Sequence, residues 1–448
     1  MSKEKLDKLV FVGALVTSDN TKSLLISNGY IVVEDGKIIK KGPTGEFNDL
    51  NKDDFWKFYK VVILTKGQFL MPGFVDCHTH GPQFPNLGIG LDRPLLEWLD
   101  NYTFPLEKRY SNEEFAGQVY SQVVRRLLKN GTTTACYFGS LHLNGTLQLV
   151  SNVVQYGQRA LVGKVSMNVE NNMGYYNDTE KEISDTEEFI KKVIALQNPL
   201  VEPIVTPRFA ISCNKVLMDK LGELAQKYDL RIQSHISENL GEIDYVLQKY
   251  PEAKTYAEVY DMSKLLTKKC IMAHAVHLRP EEMLLLSSRG VSVAHCPASN
   301  TRLHSGLCPL RTLQDHGVTV GLGTDVSGGD SASILDTIRR AMDVSVHLKL
   351  TGAVGNTVID WKEAFYLATL GGAKALNLND NIGSLEVGKE FDALVIDVYK
   401  SGGAIDQQDY CVADNEQHYI ELLLQKFIYL GDDRNILKVY VRGNEVLV

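Results

Sequence analysis

His78 and His80, one residue apart in the stretch QFLMPGFVDCHTH from Gln68 to His80, are the first residues of this chain whose types and spacing could do chemistry. On an extended strand alternate side chains share a face, so both imidazoles project together while Cys77 and Thr79 project the other way. Two neutral imidazole nitrogens on one face suit a borderline divalent cation, and a strand holds them more firmly than a loop. A His-x-His pair alone is a weak signal, because histidine has many structural uses. Its weight depends on partners supplied by the rest of the chain.

Those partners need elements to position them. From Gly73 to about Gly383 short apolar strands alternate with amphipathic helices. Eight strand segments stand out: GFVDCHTH, TTTACYF, RALVGKV, EPIVTPRF, RIQSHIS, CIMAHAV, VSVAHCP and VTVGLGTD. The clearest helices are NEEFAGQVYSQVVRRLLKN, ending at Gly131, and SASILDTIRRAMDVSVHLKL after Asp325. Strands alternating with helices imply parallel βαβ units, and eight of them imply an α/β chain folded as a (β/α)8 barrel over residues 71–382. Residues 1–70 and 383–448 are strand-rich and are expected to form a small composite β-sandwich domain built from both terminal segments. Hairpin turns are expected at Asp35-Gly36 and at Gly443-Asn444. The segment Asn171 to Asp185 lacks periodicity and reads as a solvated loop, with a lid over the barrel mouth as the alternative.

Reactive groups of such barrels come from the C-terminal ends of the strands. Those ends carry His78 and His80 on strand one, Arg208 on strand four, His235 on strand five with Glu238 just beyond, His274 on strand six and Asp325 on strand eight. Three histidines and an aspartate can ring a metal and leave room for a water, with His274 and Glu238 beside that water for hydrogen bonding and proton transfer. Taken singly, each has a plainer reading: His235 as a core histidine, Glu238 as a first-turn acid, Asp325 as a helix cap, Arg208 as a partner of an acid. Their joint arrival at matching strand ends favours the metal site. His295 reads as structural, and His277, His304 and His316 as surface residues or supports behind the site. Cys77 is expected to face the surrounding helices and not to be a ligand.

Composition narrows the function classes. Lys and Arg number 47 against 55 Asp and Glu, a net charge of -8, which leaves no basic footprint for nucleic acid. Hydrophobic residues at 44% with 23% charged suit a globular chain with a sizeable core. Seven scattered cysteines form neither a disulfide framework nor a paired C-x-x-C site, so a reducing, cytoplasmic setting is expected. MSKEKLDKLVFVGALV does not read as a signal peptide, the C-terminal EVLV lacks a prenylation cysteine, and no apolar run reaches the length of a membrane span. GSLEVGKE, Gly383 to Glu390, has Glu where a phosphate loop needs a hydroxyl, so it reads as a tight turn. The H-x-E with P-C-x-x-C signature of thiolate-ligated zinc deaminases is missing.

PGFVDCHTH, SHISE, AHAVHL, GLGTDVSGG and IGSLEVGKEFDALVID together resemble the amidohydrolase superfamily, metal hydrolases on a (β/α)8 barrel with a composite β-sandwich. Within it, LLEWLDNYTFPLEKRY, VVRRLLKNGTTTACYF, VTPRFAISC, QSHISEN and KFIYLGDDRNI resemble the members that deaminate guanine. The resemblance implies hydrolysis of guanine to xanthine and ammonia in purine salvage or catabolism, one Zn2+ per subunit with iron as an alternative, and a cytosolic homodimer. It implies His78, His80, His235 and Asp325 as metal ligands, and Glu238, His274 and Asp325 as the catalytic set. Gln83, Arg208 and Phe209 would hold the purine beside His80, His235, Glu238 and Asp325. The two-donor fork of Arg208 matches the O6 and N7 acceptors of guanine and opposes the amino group of adenine. The stretch Asn300 to Pro309 departs from the family pattern, being bulkier and more basic. Two rivals stay open at this point: another deaminase or hydrolase on the same scaffold, and a non-enzymatic scaffold that has lost its metal.

Overall fold

Apolar runs punctuated by Gly and Asp make the first five strands: β1 (Leu9–Ser18), β2 (Leu24–Glu34), β3 (Lys37–Pro43), β4 (Lys60–Ile63) and β5 (Gln68–Pro72). The computed structural model describes residues 8–50, 57–353, 357–407 and 413–446. The extreme termini, on which the signal and prenylation readings partly rest, lie outside them. Glu34 pairs with Lys37 across a two-residue turn in which Asp35 and Gly36 have φ of 49° and 77°, as the expected hairpin requires.

The middle of the chain supplies β6 (Phe74–His80), β7 (Thr132–Phe138), β8 (Arg159–Gly163), β9 (Val165–Ser166), β10 (Val201–Pro203), β11 (Thr206–Pro207), β12 (Ile232–Ile236), β13 (Cys270–His274), β14 (Ser292–His295) and β15 (Thr319–Leu322). All their pairings are parallel: β6, β7, β8 and β10 in one row, β9 with β11, and β12 to β15 in another. Val205 bridges Ile232 between the two rows. At the far side Asp325 N–H donates to the His78 carbonyl at 2.8 Å and His80 N–H to the Val326 carbonyl at 3.2 Å. Neighbours in space therefore follow neighbours in sequence, and the segment after β15 lies against β6. Each of the eight expected strand segments falls on these elements.

The connecting helices bury their apolar stripes on the outer strand faces. Helix Glu113–Lys129 opens at Asn112, whose side chain accepts from Phe115 N–H, and stops before Gly131 at φ 80°. It buries Val119, Val123, Val124, Leu127 and Leu128. The helix expected after Asp325 runs over Ile334–Leu350. Only the first half of Asn171 to Asp185 is irregular, because Asp178 caps a helix over Thr179–Ala195 by accepting from Lys181 N–H at 2.8 Å. The irregular half is tethered: Tyr175 is buried, and its hydroxyl accepts from Leu141 N–H.

The chain returns in β16 (Ala393–Asp397), β17 (Ile436–Val441) and β18 (Asn444–Val446), which join β5, β1, β2 and β3 in one eight-stranded sheet, with β4 beside β1. The second hairpin turns one residue earlier than expected. Val441 pairs with Asn444, and the two turn residues with positive φ are Arg442 and Gly443. Gly383 to Glu390 is held against β3, with Ile38 N–H donating to Lys389 O and Gly388 N–H to Ile38 O. This accords with a turn rather than a phosphate loop.

Strict alternation does not hold along β6. The pairing register with β7 shifts between Asp76 and Thr79, so Cys77 and His78 do not sit on simple opposite faces. Cys77 joins an inner cluster with Val75, Cys136, Leu161, Ala294, Cys296 and Ala373, its thiol 3.6 Å from the Gly372 carbonyl. Asp76 accepts from the backbone N–H of His78 and from the N–H and hydroxyl of Thr324, tying β6 to the end of β15.

That closeness leaves no room at Gly323. A Cβ there would lie 2.8 Å from His78 Cβ and 3.0 Å from Cys296 Sγ. Gly323→Ala is expected to destabilise the protein by about 1–3 kcal/mol through overpacking, read as a lower melting temperature. An unchanged melting temperature would show slack between the two strand ends.

Candidate metal centre and its pocket

The polar strand ends meet at one place. His78 and His80 end β6, His235 lies on β12 and His274 ends β13. Asp325 follows β15, and all five are buried. His78 Nε2 is 3.3 Å and His80 Nε2 3.4 Å from Asp325 Oδ1, and the Nε2 atoms of His80 and His235 are 3.1 Å apart. His274 Nε2 lies 3.8 Å from Asp325 Oδ2 and 3.4 Å from Glu238 Oε2. Three ligand groups with metal-like spacing overlap here: His78, His80 and Asp325; His78, His235 and His274; and His274, Cys296 and Asp325.

Tautomers follow from the partners. His235 Nδ1 sits 2.6 Å from the Arg208 carbonyl, which only accepts, so Nδ1 carries the proton and Nε2 carries a lone pair. His274 Nδ1 donates in the same way to Asn300 Oδ1 at 2.8 Å. Burial lowers the pKa of His78 and holds those of His80 and His235 well below the ordinary value, so these rings are neutral. Burial opposes the charge on Asp325, but the imidazoles around it, His78 first and then His274 and His80, together outweigh burial, and its carboxyl stays well below the usual range. His78 Nε2 has no hydrogen-bond partner among the described residues. Neutral imidazole nitrogens and a carboxylate facing one another across hydrogen-bond distances, with His235 Nε2 offering a lone pair, form a donor set that a divalent cation satisfies.

A pocket of about 380 Å3, its open mouth included, lies above this cluster. It is lined by His80, Gln83, Arg208, Phe209, His235, Glu238, His274 and Asp325, so the expected site residues gather here, with His78 beneath. Burial raises Glu238 to about 7, and its Oε1 accepts from the Ser305 hydroxyl at 3.0 Å. Glu238 is therefore an acid able to hold a proton near neutrality.

Three features were not found from sequence. Glu107 is fully buried and takes both ends of the Arg208 guanidinium, Nη1 at 2.5 Å and Nη2 at 3.1 Å. The fork assigned above to a purine edge is thus engaged by an acid in the free protein, leaving the other N–H groups of Arg208 for a ligand. The only sequence signal was an acid inside the otherwise apolar FPLE, where burial demands a distant partner. Leu95, Trp98 and Leu99 from the same stretch, with Leu303, form the apolar wall. Finally, the departing stretch from Asn300 supplies the His274 and Glu238 partners Asn300 and Ser305. His277 Nε2 donates to the Ser305 carbonyl and His316 Nδ1 to that of Thr312, both supporting roles. His295 is buried, and burial takes it down to about 3.

Comparison with known proteins follows the same lines. The amidohydrolase family model matches residues 69–446. The chain is 46% identical over 442 residues to guanine deaminase of Mus musculus, covering 98% of this chain and 96% of that one. A crystal structure of guanine deaminase from C. acetobutylicum with bound guanine in the active site superposes with a TM-score of 0.88 at 37% identity, over 98% of this chain and 100% of that one. A zinc-bound adenosine deaminase from Xanthomonas campestris superposes at 0.82 with 25% identity, over 99% of this chain and 93% of that one.

Two outcomes are expected. His235→Ala should fold yet retain little metal, read by elemental analysis of purified protein; full occupancy would remove His235 from the ligand set. In chelator-stripped protein, Glu238→Gln should gain melting temperature on the parent as pH rises. The buried carboxyl binds its proton more tightly than in the unfolded chain, so the parent loses stability between about 4.5 and about 7 while glutamine cannot ionise. A constant difference across that window would contradict the raised pKa.

Proposed function

Since the chain belongs to the amidohydrolase family, we propose that its pocket hydrolyses guanine to xanthine and ammonia. One observation carries the reading: Arg208 and Gln83 share the pocket with Glu238, His274 and Asp325, so one space holds a donor and an acceptor for a polar ring and groups that can move protons. Full-length likeness to guanine deaminases supports it.

The metal ligands in this reading are His78, His80, His235 and Asp325, and the ion is one Zn2+ per subunit, with iron accepting the same donors. When bound, such an ion would supply Lewis acidity that lowers the pKa of a water toward neutrality. Asp325 takes the proton of the attacking water, and His274 orients that water through Nε2, its ring fixed by Asn300. Attack at C2 places negative charge on the adjacent ring nitrogen, where Glu238 as an acid donates. The amino group then needs a proton before ammonia leaves, and Glu238 or Asp325 supplies it. Phe209 and the apolar wall cover the ring faces while Gln83 and Arg208 hold its edge, with His80, His235, Glu238 and Asp325 below.

The architecture that supports this chemistry is read as a closed (β/α)8 barrel over 71–382, with 1–70 and 383–448 as a composite β-sandwich. The reading rests on the parallel strand order, the Val205 to Ile232 bridge and the terminal sheet. Residence in the cytoplasm fits six described cysteines that are all free and buried. No helix among the described residues is long and apolar enough to cross a membrane. A homodimer working in purine salvage or catabolism completes the proposal.

The test is ammonia release from a purine panel by metal-loaded protein, with guanine expected to be preferred and xanthine to appear in equal amount. Glu238→Gln should keep its metal and lose roughly 10²-fold or more in rate. Loss of metal with retained rate would make Glu238 a ligand instead.

A further inference from the structure

Glu107 does more than neutralise a buried arginine. Its carboxylate accepts from Arg208 Nη1 and Nη2, and its Oε1 also accepts from Gln83 Nε2 at 3.0 Å. Both partners line the pocket, whereas Glu107 is not among its lining residues. We propose that Glu107 is a positioning residue that turns Gln83 and Arg208 into a reader of a cyclic lactam edge, an oxo group beside a ring N–H. This rests on the guanine reading above and deepens it.

A carboxylate only accepts, so the Gln83 amide group must point at Glu107 and its Oε1 must point away. That Oε1 takes Ser327 N–H at 3.3 Å and keeps a second lone pair for a ring N–H. Two of the five N–H donors of Arg208 are spent on Glu107, and the rest remain for an oxo oxygen. Phe104, from the same short helix as Glu107, lies with its ring centroid 5.1 Å from the guanidinium carbon and limits its swing. An aminopyrimidine edge, with an amino donor beside a ring acceptor, would meet donor with donor and acceptor with acceptor. Such buried mismatches are costly, which is the basis of strong discrimination.

The experiment uses zinc-loaded full-length protein and the variant Glu107→Gln, which keeps shape but loses the all-acceptor carboxylate. The expected result is a fall of about 10- to 100-fold in kcat/KM for guanine, carried by KM, on the scale of charge-assisted hydrogen bonds. Inhibition by hypoxanthine, which has the lactam edge, should weaken by a similar factor, inhibition by unsubstituted purine should not, and zinc content should hold. Equal weakening of both inhibitors, or unchanged guanine kinetics, overturns the proposal. Should Glu107→Gln fail to fold, Gln83→Met leaves the ion pair intact, and the same split between inhibitors is expected; an equal loss again overturns it. A parent protein that releases no ammonia from guanine defeats the functional reading itself, whereas an active parent with no split in the variants defeats the role of Glu107 alone.

Discussion

Asp325 is a buried anion beside His78 and His80, two rings that burial keeps short of protons, and the remainder of the site is arranged around that tension. Its side chain faces His78, His80 and His274, while its backbone N–H is bound to the His78 carbonyl. A carboxylate taken out of water must be compensated by opposite charge or hydrogen bonds. Here the nearest nitrogens are mostly neutral lone-pair donors, so a cation resolves what protons do not. The strand order, the register shift in β6 and the bare Gly323 all let these groups approach one another.

A second set of contacts decides which atoms face the centre. The Arg208 carbonyl sets the His235 tautomer, Asn300 sets that of His274, and Ser305 holds Glu238. Behind Glu238, Glu242 accepts the backbone N–H groups of Glu238 and Asn239 and the Tyr256 hydroxyl. Each of these candidate groups is thereby held by a hydrogen bond with a neighbouring side chain or backbone group, and such supports convert a correct residue into a correct geometry.

The terminal sheet contributes through the same logic. Arg159 at the base of β8 donates through Nε to Asp392 at 2.8 Å and through Nη2 to Glu390 at 2.6 Å, and Asp392 also accepts Arg442 N–H at 2.7 Å. The Asp392 carbonyl takes Gly73 N–H just ahead of β6. Buried arginine paired with two acids fixes the return segment before β16 against the strand that leads into His78 and His80. The C-terminal segment is thus coupled to the strand that carries His78 and His80.

The strand and helix alternation, the Asp35-Gly36 turn and the candidate ligands were legible in the sequence because each is written within a window of a few residues. Periodicity of two or 3.6, a turn that needs positive φ, and an imidazole at a strand end are local facts. What the sequence left open were pairings between distant segments. Glu107 meets Arg208 and Gln83, Asp76 meets Thr324, Asn300 meets His274, and none of these leaves a periodic trace. The register shift at Cys77 and His78 and the Arg442-Gly443 turn were also invisible, because alternation and turn residues admit a one-residue slip until a partner strand fixes the register. Chemistry was therefore decided by residue type along the chain, and orientation only by the fold, since a hydrogen bond acquires its direction when both partners have been brought together.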